Sequence, residues 1–418
     1  MSRSSLPGSG AGGPMGIGPV GRWIAPALSM VGLLLVAVVT FNLLNGGVPF
    51  VGGSKASGSG TGNGNGNGRG NGNGGATQTA APSNVVVVPD VVTFPGAIVY
   101  AKAGNIWVQT GKAAKQLTTG GDDSMPSWSP DGSSVYFIRT SAGVGSWPAS
   151  GVNRDYQLTV PSVMRVKADG SGEPERILNG KVNKNGRTWH AWIRQPVLSA
   201  DGKTLAMVSD RPDPSRSDVV LQFYDITTKK TNVPKLAETS PLGHQDPAWR
   251  PDGKALLYVR NGRNGARGAP IIYRWDVAKS KATPLTGPGY LEPSYSPDGR
   301  FIAATKTSSF GNDLVILDAS NGRELQRLTN DGASWAPVWS PAGDAIAFLN
   351  IQGQIVDLKQ VRLEGDAPNW TVRDVVALTE VSGLDGDSRP GWFVPADQLP
   401  TPPAAPTTVP SPSGSTPP

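Results

Sequence analysis

Short apolar stretches alternate with turn-forming residues through the C-terminal three quarters of this chain. Half-apolar runs bounded by Gly, Pro, Asp or Ser lie at residues 135–139, 204–208, 255–259, 301–305 and 345–349. Runs of this length predict β-strands, because successive side chains of a strand point to opposite faces of a sheet. The pattern therefore predicts many short strands of even spacing.

One phrase recurs just before each of these runs. Its copies begin at Pro126, Pro196, Pro247, Pro293 and Pro337, with a shortened sixth at Pro390, so the spacings are 70, 51, 46, 44 and 53 residues. Each full copy ends in Ser-Pro-Asp-Gly or in a turn that differs from it at one position. In such a turn Pro presets φ, Asp bonds nearby backbone and Gly accepts positive φ. The aromatic residue before the turn is expected to pack between neighbouring repeats. We assign to this structural repeat Pro126, Trp128, Asp131, Gly132, Asp201, Gly202, Pro247, Trp249, Asp252, Gly253, Pro293, Tyr295, Asp298, Gly299, Pro337, Trp339, Gly343 and Trp392.

Each phrase opens a unit of four predicted strands, which is the content of one β-propeller blade. Third strands are predicted at residues 219–226, 271–277 and 314–318, and short fourth strands ending in Leu-Thr at residues 116–118, 283–286, 326–329 and 376–379. A repeat of 40–50 residues with four strands is typical of a propeller. A β-sandwich is the alternative, but sandwiches lack self-similarity of long period.

The two ends of the repeat region complement each other. Residues 97–100 resemble the second strand of a repeat unit, with no first strand before them. Residues 390–394 resemble the first strand of a unit, with no second strand after them. Pairing the two closes the ring and removes an exposed sheet edge. The predicted fold class is all-β: a six-bladed β-propeller with a shared closing blade, preceded by one N-terminal transmembrane helix and a disordered linker.

The phrase and the Leu-Thr endings resemble the WD40-like PD40 repeats of TolB-type propellers, over about residues 96–395. Repeats of that family often carry an acid just before the first Pro. Asp246 and Glu292 match this pattern; the other positions hold Met125, Gln195, Ala336 and Arg389. A weaker similarity to LpqB-type envelope proteins implies a sensor subunit that modulates a neighbouring membrane kinase. The resemblance implies the fold, while one fold hosts many functions.

The residues outside the propeller predict an anchor, a tether and a tail. Residues 24–44 are uncharged and mostly apolar for 21 residues, which is enough helix to cross about 30 Å of hydrocarbon. Arg3 and Arg22 precede this span and no acid occurs before Asp90, so the N-terminus is expected in the cytoplasm. A cleaved signal peptide is the alternative.

The predicted domains follow from this division. They are a cytoplasmic segment over residues 1–22, a transmembrane helix over 23–45, a Gly/Asn/Ser-rich flexible linker over 46–89, the propeller over 90–397 and a Pro/Thr/Ser-rich disordered tail over 398–418. The expected location is the cell membrane, with a single pass and an extracytoplasmic propeller.

Composition excludes several classes of protein. The chain has no Cys, which rules out disulfides, thiolate metal sites and a lipoprotein anchor. Its net charge of +6 falls to +2 over residues 90–397, where 34 basic residues face 32 acidic ones. That balance argues against nucleic acid as a partner. The basic residues 260–267 are either a solvated loop or a contact for anionic polymer or lipid. We expect a monomer with a protein or envelope-polymer partner.

No convincing catalytic set emerges from the sequence. The two histidines, His190 and His244, exclude a three-histidine zinc site, and no nucleophile elbow, Walker loop or dinucleotide fingerprint occurs. We therefore predict no enzyme, no cofactor and no metal. Two alternatives stay open: calcium at the acidic residues of 122–123 and 385–387, and a channel hydrolase or lyase acting through Asp246 and Glu292, with His244 as a further candidate.

Two insertions favour recognition instead. Residues 141–161 carry Trp147 and Tyr156, and residues 179–192 carry Trp189 and Trp192. Exposed aromatic side chains on loops commonly anchor interfaces, although these rings have the alternative of packing on the blade edges. The predicted function is a membrane-tethered, extracytoplasmic, non-catalytic protein- or polymer-binding module, with the channel enzyme or an accessory sensor subunit as alternatives. The binding candidates are Asp246, Glu292, His244, Trp147, Tyr156, Trp189 and Trp192.

Overall fold

The computed structural model describes residues 85–87, 94–111, 113–149, 152–184, 186–214, 218–236, 243–261 and 269–399. The predicted cytoplasmic segment and transmembrane helix, and most of the predicted linker and tail, lie outside these residues. Within them no helix has the length and apolar character needed to span a membrane.

The described chain is built almost entirely of strands. The first ten are β1 (Val85–Val87), β2 (Ala97–Lys102), β3 (Asn105–Thr110), β4 (Ala113–Gln116), β5 (Asp123–Trp128), β6 (Ser134–Ala149), β7 (Val152–Lys167), β8 (Glu175–Asn179), β9 (Lys181–Lys184) and β10 (Arg187–His190). The next eight are β11 (Ile193–Leu198), β12 (Thr204–Ser209), β13 (Val220–Asp225), β14 (Lys230–Asn232), β15 (His244–Trp249), β16 (Ala255–Arg260), β17 (Ile271–Asp276) and β18 (Lys281–Pro284). The last nine are β19 (Tyr290–Tyr295), β20 (Phe301–Ser308), β21 (Gly311–Asp318), β22 (Glu324–Arg327), β23 (Ser334–Trp339), β24 (Ala345–Gln352), β25 (Ile355–Glu364), β26 (Thr371–Ala377) and β27 (Gly391–Phe393). A 3-10 helix, Ala396–Gln398, follows β27.

These strands form six blades, as predicted. Blades one to five are antiparallel four-stranded sheets made of β5–β8, β11–β14, β15–β18, β19–β22 and β23–β26. Blade six has the order β1-β4-β3-β2-β27, so the C-terminal strand completes a sheet begun at the N-terminal end. The prediction of a shared closing blade is confirmed.

The closing pair is secured by tryptophan. Ala97 lies opposite Phe393 and Val99 opposite Gly391. The indole N–H of Trp392 donates to the carbonyl oxygen of Pro95 at 3.0 Å, and its ring packs edge-on against Phe94, with centroids 5.7 Å apart. Ring closure thus combines backbone pairing with burial of a large aromatic side chain.

Blade six also carries a fifth strand that the sequence analysis did not predict. Strand β1 pairs with β4, with Val85 opposite Lys115 and Val87 opposite Ala113, and it falls within residues 46–89, which were assigned to the flexible linker. A run of β-branched valines fits a pleated surface well, and β4 offers an otherwise open edge. Three residues of the predicted linker thus belong to the sheet of blade six.

The repeated turns form as predicted, through a local hydrogen-bond network. In blade one the Ser129 hydroxyl donates to Asp131 Oδ1 at 2.6 Å, and the N–H of Ser134 donates to Ser129 Oγ at 2.9 Å. Gly132 has a φ of 68°. The hydrogen bond from Ser129 is the main reason that the pKa of Asp131 is lowered. The same contacts recur at Ser199–Asp201 and Ser296–Asp298.

The fourth strands differ from the prediction in where they end. Each ends just before its Leu-Thr pair, whereas the prediction placed that pair at the end of the strand. The hydroxyl of Thr286 accepts the N–H of Ile272 at 3.1 Å, and that of Thr329 accepts the N–H of Leu314 at 2.9 Å. The threonine therefore caps the third strand of its own blade instead of extending the fourth.

Repeat tryptophans connect consecutive blades, as expected. The indole N–H of Trp128 donates to the carbonyl oxygen of Gly391 at 3.1 Å, and that of Trp249 to Val197 at 3.2 Å. The apolar clusters also lie between blades: Leu257 and Ile272 of blade three pack with Ile302 of blade four. The core is thus a series of inter-blade layers.

The two sides of the propeller carry different connections. Because successive strands of a blade are antiparallel, the connections between strands one and two and between three and four emerge on one side, here named the turn face. Connections between strands two and three, and from one blade to the next, emerge on the other, named the loop face. Both predicted insertions belong to the loop face: one is the hairpin of the 16-residue strands β6 and β7, and the other the hairpin β9–β10.

Candidate functional site

In five of the six innermost strands, the residue before the first Pro of the repeat has a left-handed backbone. These residues are Met125, Gln195, Asp246, Glu292 and Ala336, with φ of 54°, 52°, 54°, 51° and 55°. The pairing register shifts at the same place each time, so each strand bulges there. Placing a residue other than glycine in the left-handed conformation costs about 1–2 kcal/mol of conformational free energy. A bulge also changes the direction of the side chain and of the N–H group of that residue. We name these five residues, with Arg389 at the sixth position, the inner ring.

Hydrogen bonds link the inner ring from blade to blade. The N–H of Asp246 donates to Gln195 Oε1 at 2.8 Å, and the N–H of Glu292 donates to Asp246 Oδ2 at 3.2 Å. The N–H of Ala336 donates to Glu292 Oε2 at 2.8 Å. The side chains of Gln195, Asp246 and Glu292 thus each accept a backbone N–H of the next blade, which offsets the strained conformation at these positions.

Further donors hold both carboxylates in place. The Gln195 amide donates to Asp246 Oδ1, and the Thr305 hydroxyl donates to Glu292 Oε2 at 2.7 Å. Asp246 therefore has partners on both oxygens. Glu292 Oε1 has no hydrogen-bond partner among the described residues.

Arg389 brings a positive charge to this pair of acids. Arg389 Nη1 donates to the carbonyl oxygen of Pro293 in blade four at 3.1 Å, although Arg389 itself lies just before β27 of the closing blade. Burial raises the pKa of both Asp246 and Glu292, and their mutual repulsion raises that of Glu292 further. The charge of Arg389 opposes both increases. The inner ring therefore contains two acids, Asp246 buried and Glu292 half-buried, with Arg389 as a partly compensating cation.

His244 lies apart from these acids in its contacts. It is buried, its ring packs on Tyr258 with centroids 4.8 Å apart, and its Nδ1 accepts the N–H of Leu221 at 3.1 Å. In other blades the threonine after the fourth strand accepts the equivalent bond. His244, the first residue of β15 in blade three, therefore takes the place of this threonine for the third strand of blade two. Burial lowers its pKa to about 4, and Arg260 contributes, so the imidazole is neutral at pH 7.

The aromatic candidates of the two insertions divide into buried and exposed side chains. Trp189 is buried, beside His190, which approaches the main chain of Gly143 and Gly145 in β6. Trp192 is 57% exposed, and its N–H donates to Asp210 Oδ1 at 2.8 Å.

The long hairpin carries the other two candidates. Tyr156 is exposed, on a strand position opposite Gly145. Trp147 lies on β6 opposite Arg154. The hairpin thus extends from blade one on the loop face, while the β9–β10 hairpin packs against its base.

Further apolar side chains that the sequence analysis missed are exposed on the loop face. Phe310, between β20 and β21, is 91% exposed, and Val381, between blades five and six, is 77% exposed. A bridge between Asn312 and Ala333 joins the first of these turns to the next inter-blade connection. An apolar residue next to a glycine turn, outside the strand pattern, is the sequence signal that marks Phe310.

Two of the acidic residues considered for calcium are engaged in other contacts. Asp123 forms an ion pair with Arg139 at 2.6 Å, and the Asp385 carboxylate accepts the N–H groups of Ala103 and Gly104. In the described part of the chain, no group of three or more His, Asp or Glu side chains is placed to hold a metal ion.

Comparison with known proteins agrees with this architecture. Residues 177–373 match the TolB β-propeller domain, PD40. These residues thus carry PD40 repeats of the TolB β-propeller type. Relatives of the chain include the Tol-Pal system protein TolB of Francisella tularensis, which is 25% identical over 248 residues, 58% of this chain and 49% of that protein.

Two further similarities are more limited. The uncharacterized peptidase YuxL of Bacillus subtilis is 29% identical over 154 residues, 37% of this chain and 21% of that protein. The solved structure of a putative TolB from Agrobacterium tumefaciens has 18% identity and a TM-score of 0.49, covering 73% of this chain and 95% of that one. The chain thus spans half or less of the length of these curated relatives.

Proposed function

We propose that this protein is a membrane-tethered, extracytoplasmic and non-catalytic binding module that recruits a protein or envelope polymer through its loop face. The observation that carries the proposal is the exposure of large apolar side chains there, above all Trp192, Phe310 and Val381. Apolar surface costs about 25 cal/mol for each Å² left in water, and rigidly presented aromatic residues are frequent interface anchors.

The form of the loop face supports recognition as well. The β6–β7 hairpin is far longer than the second-to-third connection of any other described blade, and it presents Val144, Val152 and Tyr156 to solvent. Because it is paired along its whole length, it offers a surface with little conformational entropy left to lose on binding. The tether proposal rests on residues 24–44 and on the Gly/Asn-rich sequence that follows.

Chemistry in the centre of the ring is the second candidate. It is favoured by the raised pKa of Glu292, since a carboxyl that stays protonated near neutral pH can act as a general acid. Against it stand the inter-blade hydrogen bonds to Asp246 and Glu292 and the separate environment of His244. These contacts favour a structural role for the acid pair.

Site-specific photo-crosslinking in intact cells tests the proposal. A photoreactive phenylalanine is placed in the full-length chain at position 192, 310 or 381, and as a matched control at Val277, which is 41% exposed on the turn face. We expect one shared adduct from the three loop-face positions and none from position 277. Digestion of that adduct with a protease or with glycan hydrolases distinguishes a protein from a polymer.

Two results contradict the proposal. Adducts that are equally strong at position 277, or that differ among the loop-face positions, mean that the loop face has no dedicated partner. Turnover of an envelope glycan or peptide by the purified chain, lost in Glu292→Gln, means that the second candidate is correct.

A further inference from the structure

Blade three departs from the repeat at its turn. Arg250 occupies the position at which Ser129, Ser199, Ser296 and Ser340 stand in the other complete copies. It makes no serine-like bond to the turn aspartate; its Nε lies 3.6 Å from Asp252 Oδ2, and it extends over the next blade, against Gly299. A long cation thus replaces a small turn residue on the turn face.

A second departure lies in the adjoining space between blades. Between blades two and three, Phe223 packs against Trp249 with ring centroids 5.8 Å apart and fills the space. Between blades three and four the equivalent positions hold Arg274, opposite Leu257 in the same register, and Tyr295. An aromatic pair is therefore replaced by an arginine and a smaller, polar aromatic residue.

Together these changes open a cleft of about 430 Å³ between blades three and four. This is within the usual size of small-molecule sites, about 300–1,000 Å³. Its walls carry three arginines and one acid, with two aromatic rings. The lining residues are Arg250, Arg274, Tyr295, Gly299, Arg300, Phe301, Asp318, Ala319 and Ser320.

Arg250 and Arg300 each form an ion pair with an aspartate of their own turn, whereas Arg274 is held by backbone carbonyl groups. Arg274 Nη1 donates to the carbonyl oxygens of Ala319 and Ser320 at 3.1 and 3.4 Å, and no carboxylate pairs with Arg274 in the described part of the chain. Arg300 Nε donates to Asp298 at 2.6 Å. The carboxylate of Asp318 faces its own turn, where it accepts the N–H and hydroxyl of Ser320.

A phenol hydroxyl adds a neutral donor. Tyr295 is only 8% exposed, it lines the cleft, and no described residue hydrogen-bonds its hydroxyl. Burial raises the pKa of Tyr295 to about 12, with Arg274 and Arg250 opposing the increase, so the hydroxyl keeps its proton. The cleft therefore combines arginine forks with a protonated phenol.

We propose that this cleft binds an oxyanion group, a phosphate or a carboxylate, carried by a ligand about the size of a sugar. Arginine donates two parallel N–H groups that match such oxyanions, the Tyr295 hydroxyl completes the donor set, and the rings of Tyr295 and Phe301 supply an apolar wall. The site lies on the turn face, so it is independent of the partner proposed for the loop face.

Isothermal titration of the full-length chain, in mild detergent and at fixed ionic strength, tests the site. The probes are glucose 1-phosphate and glucuronate, with neutral glucose as the control ligand. We expect saturable binding of at least one anionic probe, at least tenfold tighter than that of glucose, and weaker at high salt. The tighter of the two anions identifies the group that the cleft recognises.

The test variants are copied from neighbouring blades so that the fold is kept. Arg250→Ser restores the repeat serine, and Arg274→Phe restores the aromatic residue of blade two. Each is expected to weaken binding at least tenfold. Lys254→Gln removes one positive charge from the same turn without touching the cleft, and is expected to change affinity less than twofold. Binding of neither anion, or equal weakening by Lys254→Gln, overturns the proposal.

Discussion

At the scale of single residues, the inner ring stores strain where the hydrogen bonds between blades are made. Five residues adopt a left-handed backbone that glycine would adopt without cost, and yet none of them is glycine. Asp246 and Glu292 show the reason: their side chains are needed to accept the N–H of the following blade. The strain in one blade is therefore offset by a hydrogen bond to the next.

Replacing Glu292 by Gln should stabilise the protein at high pH and leave it unchanged in acid. The glutamine oxygen can accept the same bonds from Thr305 and Ala336 without a buried charge. The pKa of Glu292 is raised by burial and by Asp246. The contribution of Glu292 to the stability of the fold is thus fully present below the ordinary glutamate pKa of about 4.3. It is lost as the pH rises through the raised pKa of Glu292 in the folded state.

We accordingly expect the free energy of unfolding of the variant to exceed that of the parent by about 1–3 kcal/mol at pH 8, and to equal it at pH 4. Urea denaturation at the two pH values measures this. The exposed Glu380→Gln is the control and should show no such pH dependence. A Glu292→Gln variant that is less stable at pH 8 would show that the carboxylate is needed in its ionised form.

At the scale of elements, the loop face depends on two hairpins that pack together. His190 of β10 approaches Gly143 and Gly145 of β6 so closely that a Cβ on Gly145 would lie 2.9 Å from the imidazole Nδ1. Glycine at these positions allows the β9–β10 hairpin to contact the backbone of the long hairpin. Trp192 lies two residues after the end of β10.

Gly145→Ala should therefore loosen the two hairpins. The added methyl group would also meet Leu158 at 3.0 Å, and overpacking of this kind costs about 1–3 kcal/mol. Hydrogen exchange should show faster exchange in β9 and β10 and unchanged protection in blades three to five. Gly287→Ala, where no atom lies within 4 Å of the new Cβ, is the control. Unchanged protection in β9 and β10 would mean that His190 does not anchor them.

At the scale of the whole molecule, stability depends on closing the ring. Blade six is assembled from both ends of the repeat region, with β27 supplied from the far end of the sequence. Gln109 in this blade also donates to the carbonyl oxygen of Leu378 in the blade before it. Closure removes the exposed strand edges that would otherwise promote aggregation, so the last strand matters more than its three residues suggest.

Trp392→Ala should destabilise the propeller by about 3–5 kcal/mol, because a buried tryptophan is lost together with its bond to Pro95. Thermal unfolding and size-exclusion chromatography measure the loss and any association through the opened edge. Trp192→Ala removes an exposed tryptophan instead, and should change stability by less than about 0.5 kcal/mol. Equal effects of the two substitutions would contradict the role assigned to the closing strand.

The sequence by itself determined the architecture of this protein. The repeat residues act through local chemistry: Pro126 presets φ, Gly132 accepts a positive φ and Trp128 is an aromatic residue on a strand. These properties, and those of the equivalent residues in other copies, can be recognised without knowing which residues are neighbours in space. The unmatched strands at the two ends predicted ring closure for the same reason. Strand β1 was missed because its valines pair only with an edge that the fold creates.

The function of individual side chains was decided only by tertiary structure. His244 appears in the sequence as a candidate acid–base group two residues from Asp246, yet it replaces a repeat threonine in blade two. Arg250 and Arg274 are distant from Arg300 in sequence and share a cleft only because two blades meet there. Which side chains share a site depends on packing between blades, and contacts of that kind leave no local signal in the chain.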